Sequence, residues 1–180
     1  MFAHSHFMKH PLRFSIALII LLISIKTSSY AAEIIEGRVV GVHDGDTVTL
    51  LVNGRQRMKI RLAQIDAPEV SQAFGQRSQQ SLSELVFNKT VHINKETTDR
   101  YGRTVGTIIV NGVDANKEQI KRGMAWAYRH YLHDQSLIQI EEDAQRLKVG
   151  LWSEDNPTPP WEFRHAGKKA KRAWFDWSLS

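Results

Sequence analysis

The chain has 180 residues, which is long enough for one domain with a buried core and short for two. It contains no cysteine, which excludes thiol catalysis, cysteine-bound zinc and iron–sulfur centres. The formal net charge of +5 is concentrated at the chain ends: residues 1–31 contribute +3 and residues 164–180 contribute +4, so residues 32–163 carry about −2. A polyanion bound by the central region must therefore be held by locally placed basic residues, not by a global positive field.

The N-terminal segment, residues 1–31, has the pattern of a secretory signal peptide. Lys9 and Arg13 form a basic start, residues 14–25 form an apolar run, and Ser29 and Ala31 are the small residues that a signal peptidase reads. An uncleaved membrane anchor is the alternative, but the run is shorter than the ~20 residues that a membrane span needs. The compact apolar block also argues against an organelle transit peptide. We therefore expect cleavage, export to the periplasm or the medium, and no stable membrane association afterwards.

The next part of the chain has the alternation of β-strands. Apolar residues within 34–42 indicate a first strand, and Thr47–Val52 indicates a second with alternate apolar positions. Asn53 and Gly54 are a strong signal for a two-residue hairpin, because both tolerate positive φ. Residues 55–65 then form the predicted return strand. This segment is therefore a three-stranded meander.

Helices and short strands follow Pro68. The predicted elements are a helix at 71–87, strands at 91–93 and 104–110, a helix at 114–122, and a last helix that begins at Asp134 and ends before Gly150. Five short strands with a helix after the third predict an α+β fold, a five-stranded OB-type Greek-key barrel with about three packed helices. A ferredoxin-like sheet is the alternative, but it needs a helix after the first strand, and the hairpin leaves no room for one.

A proline-rich stretch, residues 156–160, ends the predicted domain, which spans residues 32–156. The tail after it, residues 157–180, is rich in proline, aromatic and basic residues. We expect this chain terminus to be mobile.

Three short segments carry charged residues suited to phosphate chemistry. Asp46 and Asp66 offer the hard carboxylate oxygens that Ca²⁺ or Mg²⁺ prefers. Arg61 and Arg103 are planar forks that can bind one phosphate bidentately, and Glu69 is a further carboxylate. Each segment alone is consistent with an ordinary turn or loop. Together, a metal, two arginines and a carboxylate base are the groups needed for attack of water on a phosphodiester.

Strand periodicity predicts which face of its strand each of these side chains lies on. Asp46 has the same parity as Val48 and Leu50, so it should lie at the mouth of the barrel, where the inner face first meets water. Arg61 and Asp66 have opposite parity along an extended strand. The chain must therefore bulge or turn between them if both are to face one site.

The sequence resembles the thermonuclease, or staphylococcal nuclease, family from about residue 35 to residue 152. Five motifs in the same order carry the resemblance: Asp44-Gly45-Asp46-Thr47, Arg61-Leu62 with 65–69, 99–103, 123–128, and 150–155. The resemblance implies an OB barrel and a Ca²⁺-dependent nuclease that acts on DNA and RNA and leaves 3′-phosphate ends.

The resemblance also implies a metal site. Asp46 and Asp66 match the metal carboxylates of the family. Ala67 matches a position that supplies a backbone carbonyl, where relatives often have threonine. The loss of the threonine hydroxyl should matter little if only the carbonyl binds Ca²⁺.

Catalytic and substrate-binding roles are implied by the same resemblance. Arg61 and Arg103 match the two phosphate-binding arginines, and Glu69 matches the residue usually assigned as general base. Tyr101 and Tyr128 match aromatic positions that line the nucleotide site. The implied partners are DNA and RNA, with single strands preferred, and the implied state is a monomer.

Two other functions compete with the nuclease. One is a catalytically inactive OB-type module that binds single-stranded nucleic acid or a protein, since OB barrels often do so. The other is a membrane-tethered binding module, if the leader is retained. The complete set of five charged positions favours the nuclease over the inactive module.

Overall fold

The computed structural model describes residues 33–178. The predicted signal peptide, residues 1–31, lies outside this range. Among the described residues, no helix is both long enough and apolar enough to cross a membrane.

The core of the fold is a closed barrel of five strands. These are β1 (Glu33–Val42), β2 (Thr47–Val52), β3 (Gln56–Leu62), β5 (Thr90–Thr98) and β6 (Thr104–Val110). Neighbours pair in antiparallel fashion in the order β3-β2-β1-β5-β6, and a parallel pairing of β3 with β6 closes the barrel. The predicted α+β, OB-type barrel is confirmed.

The remaining elements surround the barrel. They are the short strands β4 (Ile65–Asp66), β7 (Val113–Asp114) and β8 (Trp126–Ala127), the helices α1 (Gly75–Val86), α2 (Ala115–Lys121), α3 (Ser136–Arg146) and α4 (Pro160–Ser178), and two 3-10 turns at Arg129–Tyr131 and Gly150–Ser153. β4 pairs with β8, which ties the end of the meander to the loop before α3.

Local sequence explains the central hairpin. Asn53 and Gly54 adopt φ of 50° and 67°, the positive values that a tight hairpin between β2 and β3 requires. Val48 and Leu50 on β2 and Ile60 on β3 are fully buried, as the alternation predicts. Burial of this face fixes the register, because a slip by one residue would expose the whole set.

Several predicted boundaries are wrong for identifiable reasons. β3 ends at Leu62, because Gln64 takes φ of 62° and turns the chain before β4. α1 begins at Gly75 and not at residue 71, because Phe74 has φ of 62°, which no α-helix contains. Leu147, which lies within the predicted last helix, is 70% exposed because α3 has already ended at Arg146.

The tail is helical where mobility was expected. Pro160 occupies the first position of α4, where its missing N–H costs nothing. Trp161 then stacks on Tyr128, with ring centroids 5.7 Å apart and planes inclined by 20°, and meets Trp126 edge-on. Arg164 forms ion pairs with Asp66 on β4 and with Glu69 in the loop after β4. These contacts anchor the start of the helix in a way that tail composition alone does not indicate.

The turn before β2 is clamped between helices. Gln119, fully buried on α2, donates through Nε2 to the carbonyl of Gly45 at 2.8 Å and of Ser78 at 3.2 Å, and accepts from Ser81 Oγ at 2.7 Å. Asp46 N donates to Asp44 Oδ1 at 3.0 Å inside the turn. The position of Asp46 is therefore fixed by both α1 and α2.

Gly45→Ala is expected to destabilise the fold. A Cβ at position 45 would lie 1.7 Å from Ser78 Oγ and 2.7 Å from Ala67 Cβ, so the clamp would have to open. Overpacking of this kind lowers the free energy of unfolding by about 1–3 kcal/mol, which urea denaturation measures. Gly41→Ala is the matched control, since its Cβ would only reach Thr49 Cβ at 3.7 Å. Equal stability of the two variants would contradict the inference that the turn at Gly45 is tightly packed against α1 and α2.

Candidate active site

Asp46 lies at the mouth of the barrel, immediately before β2, and is 3% exposed. Its Oδ2 accepts from the backbone N–H of Ala67 at 2.9 Å, and its Oδ1 accepts from the Thr47 hydroxyl at 2.9 Å and pairs with Arg61. Burial opposes ionisation, but Arg61 and the Ala67 amide outweigh it and hold the pKa of Asp46 below its usual value. The predicted inward carboxylate is thus present, and it is charged.

Arg61 joins the two aspartates. From β3 it pairs with Asp46 and donates through Nη2 to Asp66 Oδ1 at 3.0 Å and to the carbonyl of Ile65 at 3.3 Å. Burial alone would lower the pKa of Arg61, but the two carboxylates more than reverse this and raise it. The turn at Gln64 is what lets Arg61 and Asp66 meet despite their opposite parity.

Asp66 is completely buried behind two arginines. Its Oδ1 accepts from Arg61 at 3.0 Å and from Arg164 Nη1 at 3.2 Å, and its Oδ2 accepts from Arg164 Nη2 at 2.7 Å. Burial raises the pKa of Asp66, and Asp46 adds to the effect, although Arg164 opposes it. Every oxygen of this carboxylate therefore already contacts a cation of the protein.

Glu69 lies on the same side of the barrel mouth, in the loop after β4. Its carboxylate accepts from Arg164 Nη1 at 2.9 Å, and the side chain is 38% exposed. The backbone N–H of Glu69 donates to Gln72 Oε1 at 3.3 Å, which helps to fix the loop. Glu69 is thus reachable from solvent and is held by the same arginine as Asp66.

Arg103 is held by a different carboxylate. Its Nε donates to Asp99 Oδ2 at 2.7 Å, and Asp99 Oδ1 accepts from the backbone N–H groups of Tyr101 at 2.9 Å and of Arg103 at 3.0 Å. Burial opposes ionisation of Asp99, but these hydrogen bonds outweigh it, so the pKa of Asp99 lies below its usual value. The guanidinium of Arg103 lies over the ring of Tyr101, 5.5 Å from its centroid.

One cleft of about 430 Å³ collects nearly all the predicted site residues. Its lining includes the predicted residues Asp46, Arg61, Ala67, Glu69, Tyr101, Arg103 and Tyr128. Asp66 does not reach the cleft surface, because Arg61 and Arg164 cover it. The two tyrosines differ, since Tyr101 is 69% exposed whereas Tyr128 packs against Trp161.

The sequence interpretation missed residues on both sides of this cleft. Trp161, Arg164 and Lys168 reach it from α4, a segment predicted to be mobile. The only signal was the spacing of basic residues in the tail. Asp44 also lines the cleft, and burial, together with the charge of Asp46, raises its pKa to about 7.

The carboxylates are arranged around arginines. Among residues 33–178, no group of three or more histidine, aspartate or glutamate side chains is placed to hold a metal ion. Asp46 and Asp66 nevertheless converge on Arg61, and Ala67 follows Asp66 directly. Their donors are hard oxygens, which fit a cation such as Ca²⁺ or Mg²⁺.

The barrel and this cleft together define a class of protein: a small OB-type barrel whose mouth is lined by carboxylates, arginines and tyrosines. Comparisons with known proteins specify it further. A family model described as "Staphylococcal nuclease homologue" matches residues 59–154. The chain is 47% identical over 131 residues to a protein named "Uncharacterized endonuclease" from Haemophilus influenzae, with 73% of this chain and 74% of that protein covered.

A second similar protein is also named as a nuclease. The chain is 42% identical over 145 residues to a "Micrococcal nuclease" of Shigella flexneri, with 74% of this chain and 83% of that protein covered. The chain therefore belongs to the staphylococcal nuclease family, and the resemblance stated from the sequence motifs is confirmed.

Proposed function

We propose that this protein is an exported, Ca²⁺-dependent nuclease that hydrolyses DNA and RNA, prefers single strands and leaves 3′-phosphate ends. The observation that supports it most is that Asp46, Arg61 and Glu69 line one cleft in a barrel of the nuclease family. The cleft thus combines a buried anionic side, a guanidinium fork and a solvent-accessible carboxylate. Acting as a monomer is sufficient, since all these groups come from one chain.

Each side chain has a separate task in this proposal. Glu69 accepts a proton from the water that attacks phosphorus. Arg61 binds two oxygens of the scissile phosphate as negative charge develops on them, and Arg103 binds the phosphate in both ground and transition states. The new bond joins the water oxygen to phosphorus, the bond to the 5′ oxygen breaks, and the leaving 5′ oxygen takes up a proton from solvent water. Tyr101 and Tyr128 line the space for the nucleoside.

The metal belongs at the anionic side of the cleft. Asp46 and Asp66, with the carbonyl of Ala67, would hold Ca²⁺, which supplies positive charge beside the phosphate. Arg61 and Arg164 balance these carboxylates in the protein alone. Loading the site therefore requires that at least one arginine give up its contact with Asp66.

Activity is expected to require Ca²⁺. Purified mature protein is incubated with a labelled single-stranded DNA oligonucleotide in chelator, in Ca²⁺ and in Mg²⁺, and the product ends are identified with a 3′-phosphatase. Cleavage should vanish in chelator and return with Ca²⁺. Mg²⁺ should replace it poorly, because two carboxylates and one carbonyl form an irregular shell, which Mg²⁺ tolerates badly. Full cleavage in chelator would remove the metal role of Asp46 and Asp66.

An inactive binding module is the second candidate. The contacts of Arg164 with Asp66 and Glu69 favour it, because they cover the carboxylates that catalysis needs. The same experiment separates the two functions, since a binding module would shift the oligonucleotide on a gel without shortening it at any metal concentration.

Export is tested through the mass of the protein. If residues 1–31 are a signal peptide, the exported form should have lost them, with cleavage next to Ala31 or Ala32. Intact-mass measurement of protein recovered from the periplasm or the medium gives the result. A mass that includes residues 1–31 would support the retained anchor instead.

A further inference from the structure

The helix α4 carries most of its charge on one stripe. Its sequence contains five basic residues and two acidic ones. Arg164, Lys168, Lys171 and Arg172 are spaced by four, three and one residues, which places them on the same side of an α-helix. These four residues form what we call the basic stripe.

The stripe begins inside the cleft and runs out of it. Arg164 and Lys168 line the cleft beside Glu69 and Arg61, whereas Lys171 and Arg172 are exposed. At a rise of ~1.5 Å per residue, the stripe extends about 12 Å from Arg164 to Arg172. The stripe therefore continues along α4 beyond the residues that line the cleft.

The start of the helix is fixed to the barrel, so the stripe has a defined origin. Trp161 stacks on Tyr128 and contacts Trp126. Arg164 bonds to both oxygens of Asp66 and to Glu69. The side chains of Lys168, Lys171 and Arg172, by contrast, form no ion pair or hydrogen bond within the described range 33–178. Three cations next to the cleft are thus available to a ligand.

We propose that Lys168, Lys171 and Arg172 bind the phosphates of the polynucleotide that flank the scissile phosphate, so that α4 is a second substrate-binding wall. This inference rests on the proposed nuclease function. A polynucleotide longer than the cleft must leave it on some side, and α4 offers unpaired positive charge beyond the cleft lining. The region before the tail carries a slight negative charge, about −2 for residues 32–163, so a polyanion that extends beyond the cleft gains favourable contacts from the locally placed cations of the tail.

The test removes three positive charges from the basic stripe and compares the effect with the loss of three positive charges elsewhere on the surface. The variant Lys168→Gln/Lys171→Gln/Arg172→Gln is matched with Arg55→Gln/Lys121→Gln/Lys148→Gln, whose three exposed residues do not line the cleft. Circular dichroism checks that both variants fold. Binding of a single-stranded oligonucleotide of about 16 nucleotides is measured in chelator, where no cleavage is expected, at several salt concentrations.

The stripe variant should lose both affinity and salt dependence. Three phosphate contacts to a single strand contribute roughly 2 to the slope of log K against log[salt]. We therefore expect the slope to fall by about 2 and the affinity near 0.1 M salt to fall roughly 10- to 100-fold. The control variant should keep the wild-type slope. The loss for the stripe variant should be smaller with a dinucleotide, which is too short to reach Lys171 or Arg172.

Three results would overturn the inference. The first is a stripe variant whose slope of log K against log[salt] equals that of the wild type. The second is a control variant that loses as much affinity for the oligonucleotide as the stripe variant does. The third is a stripe variant that loses binding to vesicles containing phosphatidylserine but keeps its affinity for the oligonucleotide. Failure of the wild-type protein to cleave nucleic acid in Ca²⁺ would instead contradict the proposed function. The binding measurement is independent of cleavage, so the two failures are distinguishable.

Discussion

Glu69→Gln should lower kcat for oligonucleotide hydrolysis by roughly 10²–10⁴-fold with little change in KM. Glutamine has the shape of glutamate and can still accept a hydrogen bond from Arg164, so the cleft should keep its structure. What the variant loses is the ability to take a proton from the attacking water. A base acts only in the transition state, so the loss should appear in kcat. Steady-state kinetics on one short oligonucleotide at saturating Ca²⁺ and fixed salt measure both constants.

Glu142→Gln is the matched control for this variant. Glu142 is exposed on α3, and it is not among the residues that line the cleft. The Glu142→Gln variant should leave kcat and KM unchanged. If Glu69→Gln raised KM alone, Glu69 would be a binding residue, and the base would have to be another group in the cleft.

The barrel could be predicted from sequence because local signals determine it. Asn53 and Gly54 fix the hairpin between β2 and β3, and the alternation from Val48 to Val52 fixes which side faces inward. Asp46 follows the same alternation, and it is buried at the barrel mouth as its parity indicates. These predictions need only neighbours along the chain, so they do not depend on the tertiary structure.

The site could be predicted only in part, because part of it depends on distant contacts. The need for a turn between Arg61 and Asp66 came from parity, but its position at Gln64 did not. The pairing of Arg103 with Asp99 also needs the loop geometry. Motif resemblance named residues most of which line one cleft, yet it carried no information about which carboxylate each arginine contacts.

The tail shows the clearest limit of sequence reasoning. Its composition is typical of a mobile segment, yet Trp161 and Arg164 hold the start of its helix. Trp161 depends on Tyr128, which lies 33 positions earlier, and Arg164 depends on Asp66, which lies 98 positions earlier. No local pattern reports such long-range partners. The sequence therefore did not predict that α4 forms one wall of the cleft.

Arg61→Lys is the second variant with a large expected effect. Lysine keeps the positive charge between Asp46 and Asp66 but loses the planar fork that could hold two phosphate oxygens at once. Loss of one preorganised donor at a developing oxyanion lowers kcat by roughly 10²–10³-fold, and we expect a fall of this size. The fold should survive, because a cation remains beside the two carboxylates. Kinetics and urea denaturation are measured on the same preparation.

Measurements of stability distinguish the effect of the positive charge of Arg61 from the effect of its planar guanidinium. Arg61→Ala leaves Asp46 without its cationic partner in a buried position, and removing one member of a buried ion pair costs about 3–5 kcal/mol. Arg61→Lys should retain most of that stability while losing most of the activity. Arg57→Lys, an exposed change on the same strand, should alter neither. If Arg61→Lys were as active as the wild type, bidentate binding of the phosphate at Arg61 would be wrong, because a point charge would then suffice. If Arg61→Ala were as stable as the wild type, the charge of Asp46 would not depend on Arg61.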